Sequence, residues 1–169
     1  MKEMKKNYEM MIDVETLDVE DTAVVFEVAV VFFKGKKRHK YRWVLDVDQQ
    51  LRMGRTLSAD TLLFHMNSPK GLKDCLRTIC KTNLWGFTQR FHKLFKFYNP
   101  KECWSKGSFD FPLVAQLFND EVPWEFWQLR DLRTLMKECG VDSGKIAHTA
   151  MADCMDQIRQ LEKCRKVIK

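Results

Sequence analysis

Apolar residues along this chain follow two rhythms, and the switch from one to the other marks its organisation. The opening stretch reads as strands. Glu9 to Thr16 contains Met10-Met11-Ile12, Thr22 to Phe33 holds the β-branched and aromatic run from Ala23 onwards, and Arg38 to Asp46 follows. Between the last two, Lys34-Gly35-Lys36-Lys37 has the composition of a hairpin tip. Helical signals come next. Leu57 to Asn67 predicts a helix behind a Ser58 cap, and Ser68-Pro69 ends it before a second helix through Ile79. From Leu84 to Tyr98, the positions Leu84, Phe87, Phe91, Leu94, Phe95 and Tyr98 recur with helical period. Gln89, Arg90, His92, Lys93 and Lys96 fall outside this stripe, which therefore predicts core packing over a base-stacking platform. After Pro100 come a short strand from Glu102 to Ser105, a helix from Phe111 to Asn119 with Pro112 in its first turn, and a strand near Phe126 to Leu129. A helix from Asp131 to Cys139 closed by Gly140, and a last helix from Thr149 to Lys166, complete the pattern.

Three strands followed by helices with single strands between them predict an α/β domain with an RNase H-like fold: a mixed central sheet flanked by helices. The first three strands form an antiparallel meander, and the later ones return through helices and run parallel to the first. A site in such a sheet forms where strand ends meet facing helices, so acids at those ends carry the most information.

Composition narrows the picture. At 169 residues and 45% hydrophobic content the chain suits one domain spanning residues 1–169. Its 29 Lys+Arg against 23 Asp+Glu leave a charge of +6, which favours polyanionic partners without demanding one. Cys75, Cys80, Cys103, Cys139, Cys154 and Cys164 show neither CxxC pairs nor a Cys/His ligand rhythm, so reduced thiols are expected. The N-terminal stretch has no signal-peptide core, and no apolar run approaches the roughly 18 residues of a membrane span. The expectation is a cytoplasmic protein that is neither secreted nor membrane-bound.

Candidate chemistry begins with Asp13 and Glu15, which share one face at the end of an apolar strand. Paired carboxylates there suit a divalent cation, although a solvated strand end is the plainer reading. Asp110 lies at a strand-to-helix junction, where it reads as a ligand or as a helix N-cap. His148 precedes Asp153 by five positions at the start of the last helix, too far round to chelate the same ion, so the two have different jobs. Taken singly, His148 is also a capping or surface residue and Asp153 a solvated helix residue. From Lys34 to Arg42 six basic residues fall in nine positions, suiting either a solvated turn or phosphate contact through Lys36, Lys37 and Arg38. Arg130 and Arg133 flank Asp131 and suit phosphate binding, while Asp131 also reads as a helix cap with Arg133 paired nearby. Trp104, Trp124 and Trp127 read as packing residues, and His65 and His92 stand outside every motif.

Together, Asp13-x-Glu15, Asp110 within Phe109-Asp110-Phe111-Pro112, and His148 with Asp153 resemble, in order, the three motifs of the DnaQ-like exonucleases of DEDDh type. The resemblance spans essentially the whole chain. Trp124 to Leu135, with Arg130-Asp131-x-Arg133-Thr134, is similar to a segment of the phage and prophage branch, which includes DexA-type exonucleases and the nuclease domain of exonuclease VIII. One departure is Gly107-Ser108-Phe109-Asp110, one residue shorter than the commoner G-x-x-F-D. The resemblance implies hydrolysis of the terminal phosphodiester with two Mg²⁺ or Mn²⁺ ions held by Asp13, Glu15, Asp110 and Asp153, and with His148 as general base. It also places Thr16 and Leu17 beside the terminal nucleotide.

The resulting expectation is a 3′-to-5′ exonuclease acting on single-stranded DNA or RNA 3′ ends, with DNA favoured by the phage-branch resemblance alone. The alternatives are an exoribonuclease using the same site and a catalytically silent nucleic-acid-binding domain.

Overall fold

In the computed structural model, which describes residues 8–67, 71–78, 81–119, 121–143 and 149–168, the meander is formed by β1 (Glu9–Thr16), β2 (Val25–Lys34) and β3 (Lys37–Val44). β4 (Cys103–Ser105) pairs parallel to β1 and β5 (Leu129–Asp131) parallel to β4, giving a mixed sheet in the order β3-β2-β1-β4-β5. β1 sits at the centre. Its register with β2 runs from Glu9 opposite Phe33 to Glu15 opposite Glu27, and it shifts between Glu15 and Thr16. A bulge of this kind kinks the strand just past the acidic pair.

Both faces of β2 are covered, which is why it reads as an apolar run interrupted only by Glu27 before its closing Lys34. On one face Met10, Ile12, Val28, Val30 and Phe32 pack against α4 (Leu84–Tyr98), through Phe87, Phe91 and Phe95, and against α5 (Asp110–Leu117), through Leu113 and Val114. On the other, Met11, Ala29 and Val31 meet α6 (Leu132–Cys139) and α7 (Ala150–Val167) through Leu132, Met136, Cys154, Ile158 and Leu161. Small residues let α7 lie close to the sheet: Ala150 is fully buried, and the Cys154 thiol is 3.5 Å from the Ala29 carbonyl oxygen. Strand alternation puts Asp13 and Glu15 on this same α7 face, in step with Met11.

The aromatic helix has the expected bounds and its stripe is core. Ser58 caps α2 (Ala59–Asn67) by accepting the Thr61 N–H at 3.2 Å. The second helix, α3 (Gly71–Arg77), stops short of the expected end; Ser68, Pro69 and Ile79 lie outside the described residues. Two expectations change. α1 (Val47–Arg52) escaped prediction because it has almost no apolar stripe: Asp46 caps it and the Gln50 amide, fully buried, bonds both the N–H and the carbonyl of Val25. The strand expected near Phe126 is a single 3₁₀ turn, Phe126–Gln128, with the strand beginning at Leu129. Phe126 and Trp127 are 80% and 58% exposed, so Trp127 is not the packing residue it resembled; Trp104 and Trp124 are buried as expected. Cys75, Cys103, Cys139, Cys154 and Cys164 are free thiols, and Cys80 lies outside the described residues. Among the described residues no helix is long and apolar enough to cross a membrane.

Candidate active site

Three segments distant in sequence converge on the end of β1. The strand presents Asp13 and Glu15, and the first turn of α7 presents Asp153; one oxygen from each lies within 4.8 Å of the others. Asp110 arrives from the start of α5. It is the first helical residue and not the cap: Phe109 holds the cap position, and the Asp110 carboxylate instead accepts the Val14 N–H at 3.3 Å. The reason lies in sheet topology. β4 pairs with β1 only at Met10 and Met11, leaving that edge of β1 open further on, where a side chain must satisfy Val14.

Packing four carboxylates here strains their ionisation. Burial, then the neighbouring Asp110 and Glu15 charges, push the Asp13 carboxyl well above its ordinary range. Burial, then Asp153 and Glu27, raise Glu15 to about 8. Burial also raises Asp110 to about 7, against the opposing effects of the Val14 N–H and the Arg133 guanidinium. Such a cluster concentrates negative charge, and its donors are all oxygens, so it fits a hard divalent cation such as Mg²⁺ or Mn²⁺.

A family model described as the 3′-5′ exoribonuclease Rv2179c-like domain matches residues 8–165. The chain belongs to this family. As an Rv2179c-like domain it is a 3′-5′ exonuclease with the DnaQ-like fold. Solved structures agree on the fold. A full-length 3′-exonuclease superposes with TM-score 0.56 at 13% identity, over 95% of this chain and 82% of the other. Cell-death related nuclease 4 (CRN-4) superposes with TM-score 0.56 at 14% identity, over 95% of this chain, which spans only 64% of that protein. No curated protein matches the chain in sequence.

Around the acids, the Rv2179c-like domain places the other predicted residues unevenly. Arg133 stands beside the site: its guanidinium lies 3.5 Å from where a Gly107 side chain would begin, and its charge acts on Asp110. Asp131 caps α6, taking N–H groups from Arg133 and Thr134 and also from Gly107, so the shortened loop before Asp110 is tied to α6. Thr16 borders the cluster, its hydroxyl donated to the Asp18 carbonyl and its own carbonyl bonded to His65 Nε2 at 2.8 Å.

Several residues expected at the substrate are packed, ion-paired or distant from the acids. Leu17 is 3% exposed in a cluster with Val24, Phe26 and Leu72, with its N–H and carbonyl both bonded, so its side chain is packed inside the fold. Arg130 pairs with Glu102 at the start of β4. Arg38 is held by Glu162 and by the Gly35 and Lys37 carbonyls. Lys36 and Lys37 sit at the hairpin tip, next to Lys34, whereas Glu15 is opposite Glu27. That separation along β2 is roughly 24 Å, so the tip stands well away from the acids. His148 lies outside the described residues.

Two buried neighbours of the acids were missed. Gln157, one turn after Asp153 on α7, donates its amide to Asp13 Oδ1 at 2.6 Å and is 4% exposed. Its i, i+4 spacing from Asp153 was the available signal. Glu27, fully buried opposite Glu15, accepts the Arg42 Nε–H at 2.6 Å. Inside an apolar strand it was the anomaly to notice.

Proposed function

We propose that this domain removes nucleotides one at a time from the 3′ end of single-stranded RNA, releasing nucleoside 5′-monophosphates. The carrying observation is the meeting of Asp13, Glu15 and Asp153 within 4.8 Å, with Asp110 bonded to the backbone between the first two. Asp13, Glu15, Asp110 and Asp153 would hold two Mg²⁺ or Mn²⁺ ions, whose positive charge stabilises attacking and leaving oxygens. The chain's own residues do the rest. His148 takes the proton of the attacking water. Arg133, whose guanidinium lies against Gly107 in the loop before Asp110, would contact a substrate phosphate. Thr16 flanks the terminal nucleotide, and the whole activity resides in one domain, residues 1–169.

RNA is preferred because the family description names exoribonucleases. The second reading is DNA, which rests on the similarity of Arg130-Asp131-x-Arg133-Thr134 to the phage branch. In either case single strands are favoured, since each step into a duplex requires unpairing and unstacking at a few kcal/mol. The test uses 5′- and 3′-labelled oligonucleotides, as RNA and as DNA, with Mg²⁺ and with Mn²⁺, and Asp13→Ala as control. A descending 5′-label ladder with immediate monomer release from the 3′ label, absent in the control, is expected. Internal cleavage, or equal activity in the control, refutes the reading.

A further inference from the structure

The outer edge of β3, bridged by Thr82 just beyond its end at Leu45, borders a cavity of about 620 Å³ whose walls include Arg42, Val44, Thr78, Thr82 and Arg90. Among the described residues no carboxylate lines it. Arg90, exposed on α4, has no ion-pair partner among the described residues. Arg42 spends its Nε–H on Glu27 and one Nη2 hydrogen on the Cys75 sulfur, and its side chain remains 42% exposed. A guanidinium has five donors, so some stay available to a ligand. With Arg42 offset by Glu27, Arg90 gives the cavity a net positive charge.

The Thr82 segment closes one end of the edge: Thr82 donates its N–H to the Val44 carbonyl at 2.8 Å and accepts the Asp46 N–H at 3.0 Å. Alternation along the strand turns the Arg42 N–H to this same outer side, away from β2. The position also matters. Asp13 pairs with Ala29 and Ala29 with Arg42; Glu15 pairs with Glu27 and Glu27 with Val44. The cavity is therefore level with the acids and two strands away, a lateral step of roughly 10 Å. The hairpin tip lacks this placement.

We propose that this edge groove is a second phosphate-binding site, which holds the phosphodiester backbone of the substrate strand upstream of the 3′ end being cut. The inference rests on the exonuclease reading above. Two guanidinium groups with no carboxylate among the described lining residues suit phosphates, and such contacts supply affinity without sequence preference. An extended peptide added to the β3 edge would use the same backbone groups but has no use for Arg90. The groove makes turnover depend on strand length: a decanucleotide reaches it and a dinucleotide does not.

The experiment compares the full chain with Arg90→Glu and Arg90→Lys, using single-strand substrates from two to ten nucleotides. The ratio of kcat/KM for the longest to the shortest is the readout, with the salt dependence of decanucleotide binding measured by anisotropy in EDTA. Arg90→Glu should lower the ratio about tenfold and reduce the salt slope by about one, with Arg90→Lys close to wild type. An unchanged ratio and slope in Arg90→Glu overturn the proposal. Should wild type hydrolyse no substrate, the exonuclease reading fails by itself, and the anisotropy slopes still decide for or against the groove.

Discussion

Asp13 is the residue on which the site turns. It stands at the centre of the acids, and a hydrogen bond from Gln157 stabilises its charge. That bond fixes which way the Asp13 carboxylate faces, so Gln157 acts as a positioning residue. Gln157→Leu should weaken apparent Mn²⁺ affinity by about 10-fold or more, as loss of an outer partner of a metal ligand does, and saturating Mn²⁺ should restore most of the rate. Titration of activity against Mn²⁺ concentration measures this; an unshifted midpoint would reduce Gln157 to packing. His148 makes a different demand. As the proposed general base it gives kcat a rising acidic limb near the imidazole range of ~6.5, and His148→Ala should lose that limb with ~10²-fold or more of the rate while metal binding persists. Single-turnover rates across pH for both proteins read it directly, and an intact limb in the variant would point to another base.

At the scale of elements, the site depends on two connections to β1. α7 reaches the strand because Ala150 and Cys154 are small, and that contact places Asp153 and Gln157 over Asp13 and Glu15. The loop from β4 to α5 is set by Gly107, whose φ of +111° is a conformation L side chains rarely adopt. Its N–H binds Asp131 at 2.8 Å, and its carbonyl accepts the Ser105 hydroxyl at 2.8 Å. Gly107→Ala should therefore destabilise the fold by about 1–3 kcal/mol and impair cleavage more than a surface change of equal stability, because Asp110 and Arg133 both depend on this loop. Denaturant melts paired with rates below the transition test the two effects together. Loss of stability with full activity would separate the loop from the site.

The whole molecule carries the electrostatic consequence of gathering these acids. Glu15 at about 8 and Asp110 at about 7 hold protons in the folded state at pH values where the unfolded chain has released them. The folded state thus binds more protons between the ordinary carboxylate range and these raised values, and stability falls as pH rises through that window. The metal-free protein should melt at a lower temperature near pH 8 than near pH 5. Divalent cation near pH 8 should reverse the loss, by about 2.7 kcal/mol at a hundredfold excess over Kd. Glu15→Gln should blunt the pH dependence. Scanning calorimetry in EDTA and in Mg²⁺ gives all three, and a melting temperature that rises towards pH 8 without metal would contradict the account.

By itself, the sequence determined the strand and helix order, the core stripe of α4 and the four acids, because those signals are local: periodicity, caps, and carboxylates at element ends. It was silent on α1, whose one buried residue is polar, and it misread Phe126–Gln128, where aromatic residues resemble a strand but lie outside the core. The tertiary structure alone decided which basic residues face the acids. Arg38 and Arg130 are engaged by Glu162 and Glu102, Lys36 and Lys37 sit at the far end of the sheet, and Leu17 is buried. Only strand register puts Arg42 level with Asp13, and only the approach of α7 lets Gln157 reach it. Charge in a sequence has no direction. It acquires one when register and helix packing fix the partner each side chain meets.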